Sequence, residues 1–154
     1  MRVESPAFRD GDTIPVKYTC DGGDVSPPLR IIDPPQGVKS YVLIVEDPDA
    51  PGGTFIHWVL YNIPPGLVEI PENVPKQPEV RGIGVQGIND FGRVGYGGPC
   101  PPRTHPPHRY FFRLYALDTE LNLKPRASVD DVRRLMEGHI LAEASLMGRY
   151  GRRR

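Results

Sequence analysis

Proline and glycine break this chain into short pieces, and their distribution is the feature that most restricts its fold. The 154 residues include 19 prolines and 17 glycines, which fall between short apolar runs and not in one low-complexity block. Proline interrupts helices and glycine favours turns, so a chain punctuated in this way does not support long helices. We therefore predict a mostly β protein with elaborate loops, folded as one domain over residues 1–154.

Three apolar runs are the strongest strand candidates. Residues 41–46 are rich in β-branched side chains, too few for a helix and followed by Pro48, so we predict a strand buried on both faces. Residues 57–62 and 110–117 are predicted as two further central strands. Weaker strands are predicted at residues 16–19, 29–32 and 82–87.

The last quarter of the chain has two interpretations. Ser128, with an acidic residue three positions later, resembles an N-terminal capping box, and apolar residues recur at helical spacing up to Gly138. From Ile140 onward the apolar positions alternate instead, with the period of a half-buried strand. The alternative is one helix that continues to Met147. We favour a short helix at residues 128–137 followed by a strand.

The composition restricts the partners and the cellular location. Lysine plus arginine equals aspartate plus glutamate at 19 each, so no overall field favours nucleic acid, and the basic residues 151–154 are expected to form a solvated tail. No run approaches the roughly 20 apolar residues of a membrane span, and the first residues lack the apolar core of a signal peptide. We expect a cytoplasmic protein without integral membrane contact. In that compartment Cys20 and Cys100 are expected to be free, with a single bridge between them as the alternative.

Two segments each bring a histidine to the start of an apolar run, beside a rigid proline turn. The first contains Asp47, Asp49 and His57, and the second runs from the glycines at 97–98 to His108. Histidines next to the backbone N–H groups of a glycine loop form a good receptor for phosphate or carboxylate. Carboxylates would repel such an anion, so Asp47 and Asp49 are expected to face and orient the histidines. The pattern predicts a preorganised anion pocket.

Other chemistry fits these residues less well. A hydrolase would have to use one of the carboxylates as base and one of the histidines as acid, with no evident nucleophile and no Gly-x-Ser-x-Gly elbow. Phe55 and Trp58 are expected to be core residues beside a strand. A zinc site is the weakest alternative, because the spacing of its candidate ligands matches no short-range zinc pattern. Those candidates are His57, His105, His108 and Cys100.

Several long motifs occur in a fixed order along the chain. The first pairs Asp47-Pro48-Asp49-Ala50-Pro51 with His57-Trp58-Val59, and the second runs from Gly98-Pro99-Cys100-Pro101-Pro102 to His108-Arg109-Tyr110. They resemble the two signature regions of the phosphatidylethanolamine-binding protein family, also called the Raf kinase inhibitor protein family. Asn89-Asp90-Phe91-Gly92 and other short motifs are similar to its bacterial and archaeal branch. The resemblance spans nearly the whole chain.

The resemblance implies an antiparallel β-sandwich with a short helix near the C-terminus and a small anion pocket at one edge. It implies a regulatory binding protein, not an enzyme, that holds phosphate, a carboxylate or a phosphorylated head group without a cofactor or metal. A cis peptide bond before Pro48 or Pro51 is also expected. The complete set of predicted ligand-binding residues, from the residue pattern and the resemblance together, is Asp47, Asp49, His57, Tyr96, Gly98, Pro102, His108 and Tyr110.

The resemblance also implies protein partners. Members of this family are reported to inhibit serine proteases or to modulate kinases, and such a role here would use exposed loops. Residues 71–81 and 99–107 are the candidate loops, because rigid proline-rich segments lose little entropy on docking. Prokaryotic relatives are often described as dimers, so a homodimer is a further expectation.

Overall fold

The computed structural model describes residues 1–152 as strands, one short helix and long ordered loops. A 3-10 turn lies at Val16–Tyr18 and the helix α1 at Val129–Met136. Within residues 1–152, no helix is long and apolar enough to cross a membrane. The strands of this region are β1 (Arg2–Glu4), β2 (Leu29–Ile32), β3 (Ser40–Asp47), β4 (Phe55–Ile63), β5 (Glu69–Ile70), β6 (Glu79–Val80), β7 (Gly84–Gln86), β8 (His108–Leu117) and β9 (Ile140–Tyr150).

The strands form two antiparallel sheets. The smaller sheet has the order β1–β2–β5 and the larger sheet the order β6–β7–β4–β3–β8–β9. Side chains of β3 alternate between two apolar clusters. Leu43 and Val45 belong to the cluster between the sheets, whereas Val42 and Ile44 pack on the opposite face with Val132 of α1. The predicted burial of this strand on both faces is confirmed, and the fold is the mostly β class expected.

The helix-then-strand interpretation of the last quarter is confirmed. The Ser128 hydroxyl accepts a hydrogen bond from the backbone N–H of Asp131 at 3.1 Å, which caps the first turn of α1. Gly138 has φ +80°, a left-handed conformation that ends the helix. Strand β9 then pairs with β8 along its whole length.

Two weaker strand predictions are wrong in whole or in part. Residues 16–18 form a 3-10 turn because Pro15 fixes the chain direction before them and the Pro15 carbonyl accepts from the N–H of Tyr18 at 3.0 Å. Only the middle of 82–87 is a strand, because Gly82 adopts φ +79° in the turn that joins β6 to β7. The short strands β1, β5 and β6 had no clear sequence signal.

The solvated tail expected at residues 151–154 is not what the structure shows for Arg152. Its guanidinium donates to the Asp21 carboxylate at 3.0 Å, and its side chain is 22% exposed. The negative charge of Asp21, on a neighbouring loop, therefore holds Arg152, just after the end of β9, against the domain. Residues 153 and 154 of the predicted tail lie outside the described residues.

The pairing of the central strands positions the predicted site. Strand β3 ends at Asp47, which is opposite Phe55 at the start of β4. Strand β8 runs antiparallel to β3 on its other side and begins at His108. The end of one strand and the starts of its two neighbours thus meet at one end of the large sheet, with His57 two residues into β4.

Candidate functional site

The meeting point of β3, β4 and β8 encloses a cavity of about 230 Å³. Larger hollows, of about 280, 530 and 680 Å³, open elsewhere on the described surface, and none of these three has a histidine in its wall. The smaller cavity is therefore the candidate site. The described residues that line it are Asp47, Ala50, Pro51, Phe55, His57, Phe91, Cys100, Pro101, Pro102, His108 and Tyr110.

Asp47 fixes the orientation of His108. The His108 Nδ1–H donates to Asp47 Oδ2 at 2.7 Å, and both side chains are only 4% exposed. The other oxygen of Asp47 accepts the backbone N–H of Asp49 at 2.7 Å. Both carboxylate oxygens are thus engaged within the protein, which is the orienting arrangement predicted for Asp47. A carboxylate paired in this way repels an incoming anion less than a free one does.

His57 is held in one tautomer by the loop that follows β7. Its Nδ1–H donates to the Gly97 carbonyl at 2.7 Å, and the Gly97 N–H donates to the His57 carbonyl at 2.9 Å. Burial lowers the pKa of the ring, although the bond to Gly97 and nearby carboxylates oppose this effect. The ring is therefore neutral near pH 7 and carries its lone pair on Nε2. Among residues 1–152, no hydrogen-bond partner occupies that Nε2 atom.

Tyr110 lies between the two histidines in the cavity wall. Its ring centroid is 5.2 Å from that of His57, edge to face, and 6.3 Å from that of His108, nearly parallel. Burial raises the pKa of the Tyr110 hydroxyl well above its usual range. The hydroxyl is therefore a hydrogen-bond donor at any physiological pH.

Asp49 does not face a histidine, so the orienting role predicted for it is wrong. Both of its oxygens accept from the Arg109 guanidinium, at 2.8 and 3.0 Å, and one of them also accepts the Arg109 backbone N–H at 2.9 Å. This fork lowers the pKa of Asp49 to about 2. Arg109 follows His108 in the chain, and its guanidinium occupies the Asp49 carboxylate that was expected to face a histidine. The Asp49–Arg109 pair holds the start of β8 against the turn after β3.

The glycine loop does not offer the free N–H donors that the sequence suggested. The Gly98 N–H donates to the Asp24 carboxylate at 2.8 Å, and the Gly97 N–H is bonded to His57. A Cβ atom at Gly98 would lie 2.4 Å from the Tyr18 carbonyl oxygen, so close packing explains this glycine. Tyr96 is also directed elsewhere, since its hydroxyl donates to the Tyr18 carbonyl at 2.6 Å. Neither Gly98 nor Tyr96 lines the cavity.

The peptide bonds before Pro48 and Pro51 are both trans, so the predicted cis bond is wrong. The turn is made instead by the Asp47 carboxylate, which accepts the N–H of Asp49 two residues on. A second bond, from the Gly53 N–H to the Ala50 carbonyl at 3.1 Å, closes the return toward β4.

Cys20 and Cys100 form a disulfide, so the expectation of free thiols is wrong. Their Cα atoms are 5.4 Å apart, and the Cys20 N–H donates to the Pro99 carbonyl at 3.1 Å, which brings the two proline-bounded loops together. Cys100 belongs to the cavity wall and is not available as a thiolate ligand. Within residues 1–152, no group of three or more His, Cys, Asp or Glu side chains is arranged to hold a metal ion.

Comparison with known proteins gives the family. The family model described as "Phosphatidylethanolamine-binding protein" matches residues 4–151. The chain belongs to the phosphatidylethanolamine-binding protein family. It is 58% identical over 153 residues to a UPF0098 protein of Aquifex aeolicus, covering 99% of this chain and 89% of that one. It is 55% identical over 151 residues to the UPF0098 protein PH1269 of Pyrococcus horikoshii, covering 97% and 76%.

Solved structures of family members have the same fold. The crystal structure of CT736 from Chlamydia trachomatis, described as a homolog of the phosphatidylethanolamine-binding protein, superimposes with a TM-score of 0.89 at 42% identity. It covers 98% of this chain and 97% of that one. YbcL of E. coli, described as a new member of the mammalian family, also gives 0.89, at 32% identity and with coverage of 99% and 98%.

Two aromatic residues of the cavity wall were not predicted as site residues. Phe55 and Phe91 line the cavity, with ring centroids 4.8 Å apart, and Phe91 also lies 5.5 Å from the His57 ring. Phe55 was expected in the core. Trp58 does lie in the core, where its indole N–H donates to Gln86 at 2.7 Å. The alternation of strand β4 carried a signal, because His57 and Phe55 are two residues apart and so lie on one face.

Proposed function

We propose that this protein binds a small oxyanion, a phosphoryl or carboxylate group, in the cavity between β3, β4 and β8. The observation that carries the proposal is the convergence of His57, His108 and Tyr110 on one wall, next to a carboxylate whose oxygens are already engaged. Each of these groups is fixed by burial or by a hydrogen bond. A polar group that is oriented in advance loses little entropy when a ligand arrives.

The size of the cavity favours a small ligand. Its volume of about 230 Å³ is below the range of roughly 300–1,000 Å³ that is usual for pockets holding drug-sized molecules. The wall is mixed, with Phe55, Phe91 and the proline rings beside the polar groups. A single phosphoryl or carboxyl group with a short apolar or amine substituent fits this description better than a nucleotide or a sugar chain.

The protonation states of His57 and Tyr110 in the cavity wall favour a ligand that carries a proton of its own. Neutral His57 presents a lone pair at Nε2, and the Tyr110 hydroxyl presents a donor. A monoanionic phosphate has both complementary groups, because its P–OH donates to Nε2 while another oxygen accepts from Tyr110. Since phosphomonoesters lose that proton near pH 6, affinity should rise as the pH falls toward this value.

The residues of the wall support binding and not turnover. None of the described lining residues is a serine, threonine or lysine, and Cys100 is held in its disulfide. The paired Asp47 and His108 resemble the base and orienting group of a hydrolase, but covalent catalysis by such a pair needs a nucleophilic side chain within hydrogen-bond reach. A regulatory binding protein is therefore the proposal.

Calorimetric titration with phosphate and phosphorylethanolamine near pH 6.5 tests the proposal with two matched pairs. Tyr110→Phe removes a hydroxyl from the cavity wall and Tyr96→Phe removes one that is bonded elsewhere. His108→Ala removes a cavity histidine and His139→Ala an exposed one that pairs with Asp118. Affinity should fall about tenfold in the first member of each pair and stay unchanged in the second. Equal effects within a pair, or no saturable heat in the wild type, would contradict the proposal.

A second candidate function is the docking of a protease or kinase on residues 71–81. This exposed loop is fixed by the buried side chain of Gln86, whose amide donates to the carbonyls of Pro75 and Gln77 at 2.7 and 2.8 Å. The N–H of Val74 is bonded to the Ser26 hydroxyl at 2.9 Å. Such a loop is ordered before it meets a partner. Inhibition through this surface should survive His108→Ala, whereas a role of the cavity should not.

A further inference from the structure

His108 lines the cavity, yet both of its ring nitrogens are already bonded inside the protein. Nδ1 donates to Asp47 at 2.7 Å, and Nε2 lies 3.0 Å from Nδ1 of His105. The two imidazole centroids are 5.2 Å apart. His105 itself is absent from the described cavity wall. The nitrogen of His108 that would meet a ligand is therefore bonded to another histidine.

The protons of this chain of groups follow from its chemistry. A carboxylate accepts and does not donate, so the proton between Asp47 and His108 belongs to His108 Nδ1. In the neutral ring the Nε2 of His108 is then an acceptor, and the donor at the 3.0 Å contact is His105 Nδ1–H. An anion that approaches His108 Nε2 therefore meets a lone pair and not a hydrogen-bond donor. His108 gives the ligand a donor only when Nε2 gains a proton and the bond to His105 breaks.

Of the two imidazole rings, that of His105 is the one that can rotate out of the contact. His108 is a strand residue with a side chain 4% exposed and a bond to Asp47. His105 lies in the turn between Pro102 and β8, is partly exposed, and its backbone N–H is bonded to the Pro102 carbonyl at 3.1 Å. Rotation of its side chain breaks the contact with His108 and leaves that backbone bond in place.

We propose that His105 is an internal cap on His108 that the bound oxyanion displaces. This inference rests on the proposed function of the cavity. His105 first turns toward solvent, which frees the lone pair of His108 Nε2. When the ligand is inorganic phosphate, its monoanion H2PO4⁻ carries two P–OH groups: one donates to His57 Nε2, and the proton of the other passes to His108 Nε2. The products are an imidazolium that donates to the ligand and the phosphate dianion HPO4²⁻, which accepts. It is a positioning residue, since it acts on the ligand through His108, and it sets the affinity of the cavity.

The test is calorimetric titration of inorganic phosphate into wild type, His105→Ala and the control His139→Ala. Removal of the cap spares the ligand the cost of breaking one hydrogen bond, so His105→Ala should bind phosphate about three- to tenfold more tightly than wild type. His139→Ala should match wild type, because His139 pairs with Asp118. Unchanged or weaker binding in His105→Ala would overturn the cap, and weaker binding would make His105 a direct ligand contact.

Nitrogen-15 spectra of the histidine rings provide a second readout that does not depend on affinity. In the free wild type, His108 Nε2 should show the shift of a hydrogen-bonded acceptor, and the same atom should change in His105→Ala without phosphate. Saturation of the wild type with phosphate should convert Nε2 to the protonated form. If the bond to His105 persists in the saturated complex, the cap is wrong even though the cavity binds. If phosphate binds neither protein at millimolar concentration, the proposed function fails, and the cap fails with it.

Discussion

Breaking the Cys20–Cys100 disulfide should destabilise the protein strongly while leaving its cavity intact. The bridge joins residues separated by 80 positions. In the chain-entropy treatment a closed loop of this length removes about 15 cal/mol/K from the unfolded ensemble, or about 4.5 kcal/mol at 25 °C. In the folded state the two loops are also joined by hydrogen bonds, which should hold them together without the bridge. The Cys20 N–H bonds to the Pro99 carbonyl, the Gly98 N–H to Asp24, and the Tyr96 hydroxyl to Tyr18.

Guanidinium unfolding of the oxidised protein, the reduced protein and the Cys20→Ser/Cys100→Ser double variant measures this loss. The reduced protein and the double variant should lose the same free energy of unfolding, on the order of 3–5 kcal/mol, and added reductant should not affect the double variant. Phosphate affinity of the folded protein should stay the same. A loss below about 1 kcal/mol would refute the chain-entropy reasoning, and a loss of phosphate binding would show that the bridge itself shapes the cavity.

Two further predictions concern the groups at the cavity. Asp47→Asn replaces a charged acceptor of the His108 N–H by a neutral one, so phosphate affinity by calorimetry should fall about ten- to a hundredfold, and an equal affinity would contradict the orienting role of Asp47. Because burial lowers the pKa of His57 below its ordinary 6.5, the unfolded ring takes up a proton first as the pH falls. The free energy of unfolding should therefore decline below about pH 6.5, and less steeply in His57→Gln; equal declines in urea melts would contradict this assignment.

The central part of the fold was accessible from the sequence because its signals are local. The β-branched run in β3, the hydroxyl cap at Ser128 and the left-handed Gly138 each determine their own element. The errors have two sources. Strand β5 gains its order from pairing with β2, a distant segment that no local pattern reveals. The 3-10 turn after Pro15 and the hairpin of β6 and β7 are local, but they are built by turn hydrogen bonds and a left-handed glycine and do not follow an apolar period.

The candidate site was also predicted only in part. Motif spacing brought Asp47, His57 and His108 to one place because β3 lies between β4 and β8, with antiparallel pairing to each. It failed for Asp49, which is paired with Arg109, and for Gly98, whose N–H is bonded to Asp24. In each case a charged side chain from another segment competes for a group that the sequence showed as free.

The disulfide was misjudged for a different reason. The expectation of free thiols rested on the compartment and not on geometry, and the proximity of the two loops depends on the tertiary fold. Phe91 was likewise not recognised as a neighbour of the site, since it lies in a loop whose course follows from turns and not from periodicity.

Histidine ring NMR during a phosphate titration tests the central claim most directly, because the site carries two of the four histidines and each ring reports separately. The proposed oxyanion cavity predicts saturable shifts of the His57 and His108 resonances with a common dissociation constant, while His139, bonded to Asp118, stays unmoved. His57 and His108 resonances that do not move at millimolar phosphate, or that move no more than His139, would contradict an oxyanion site in this cavity.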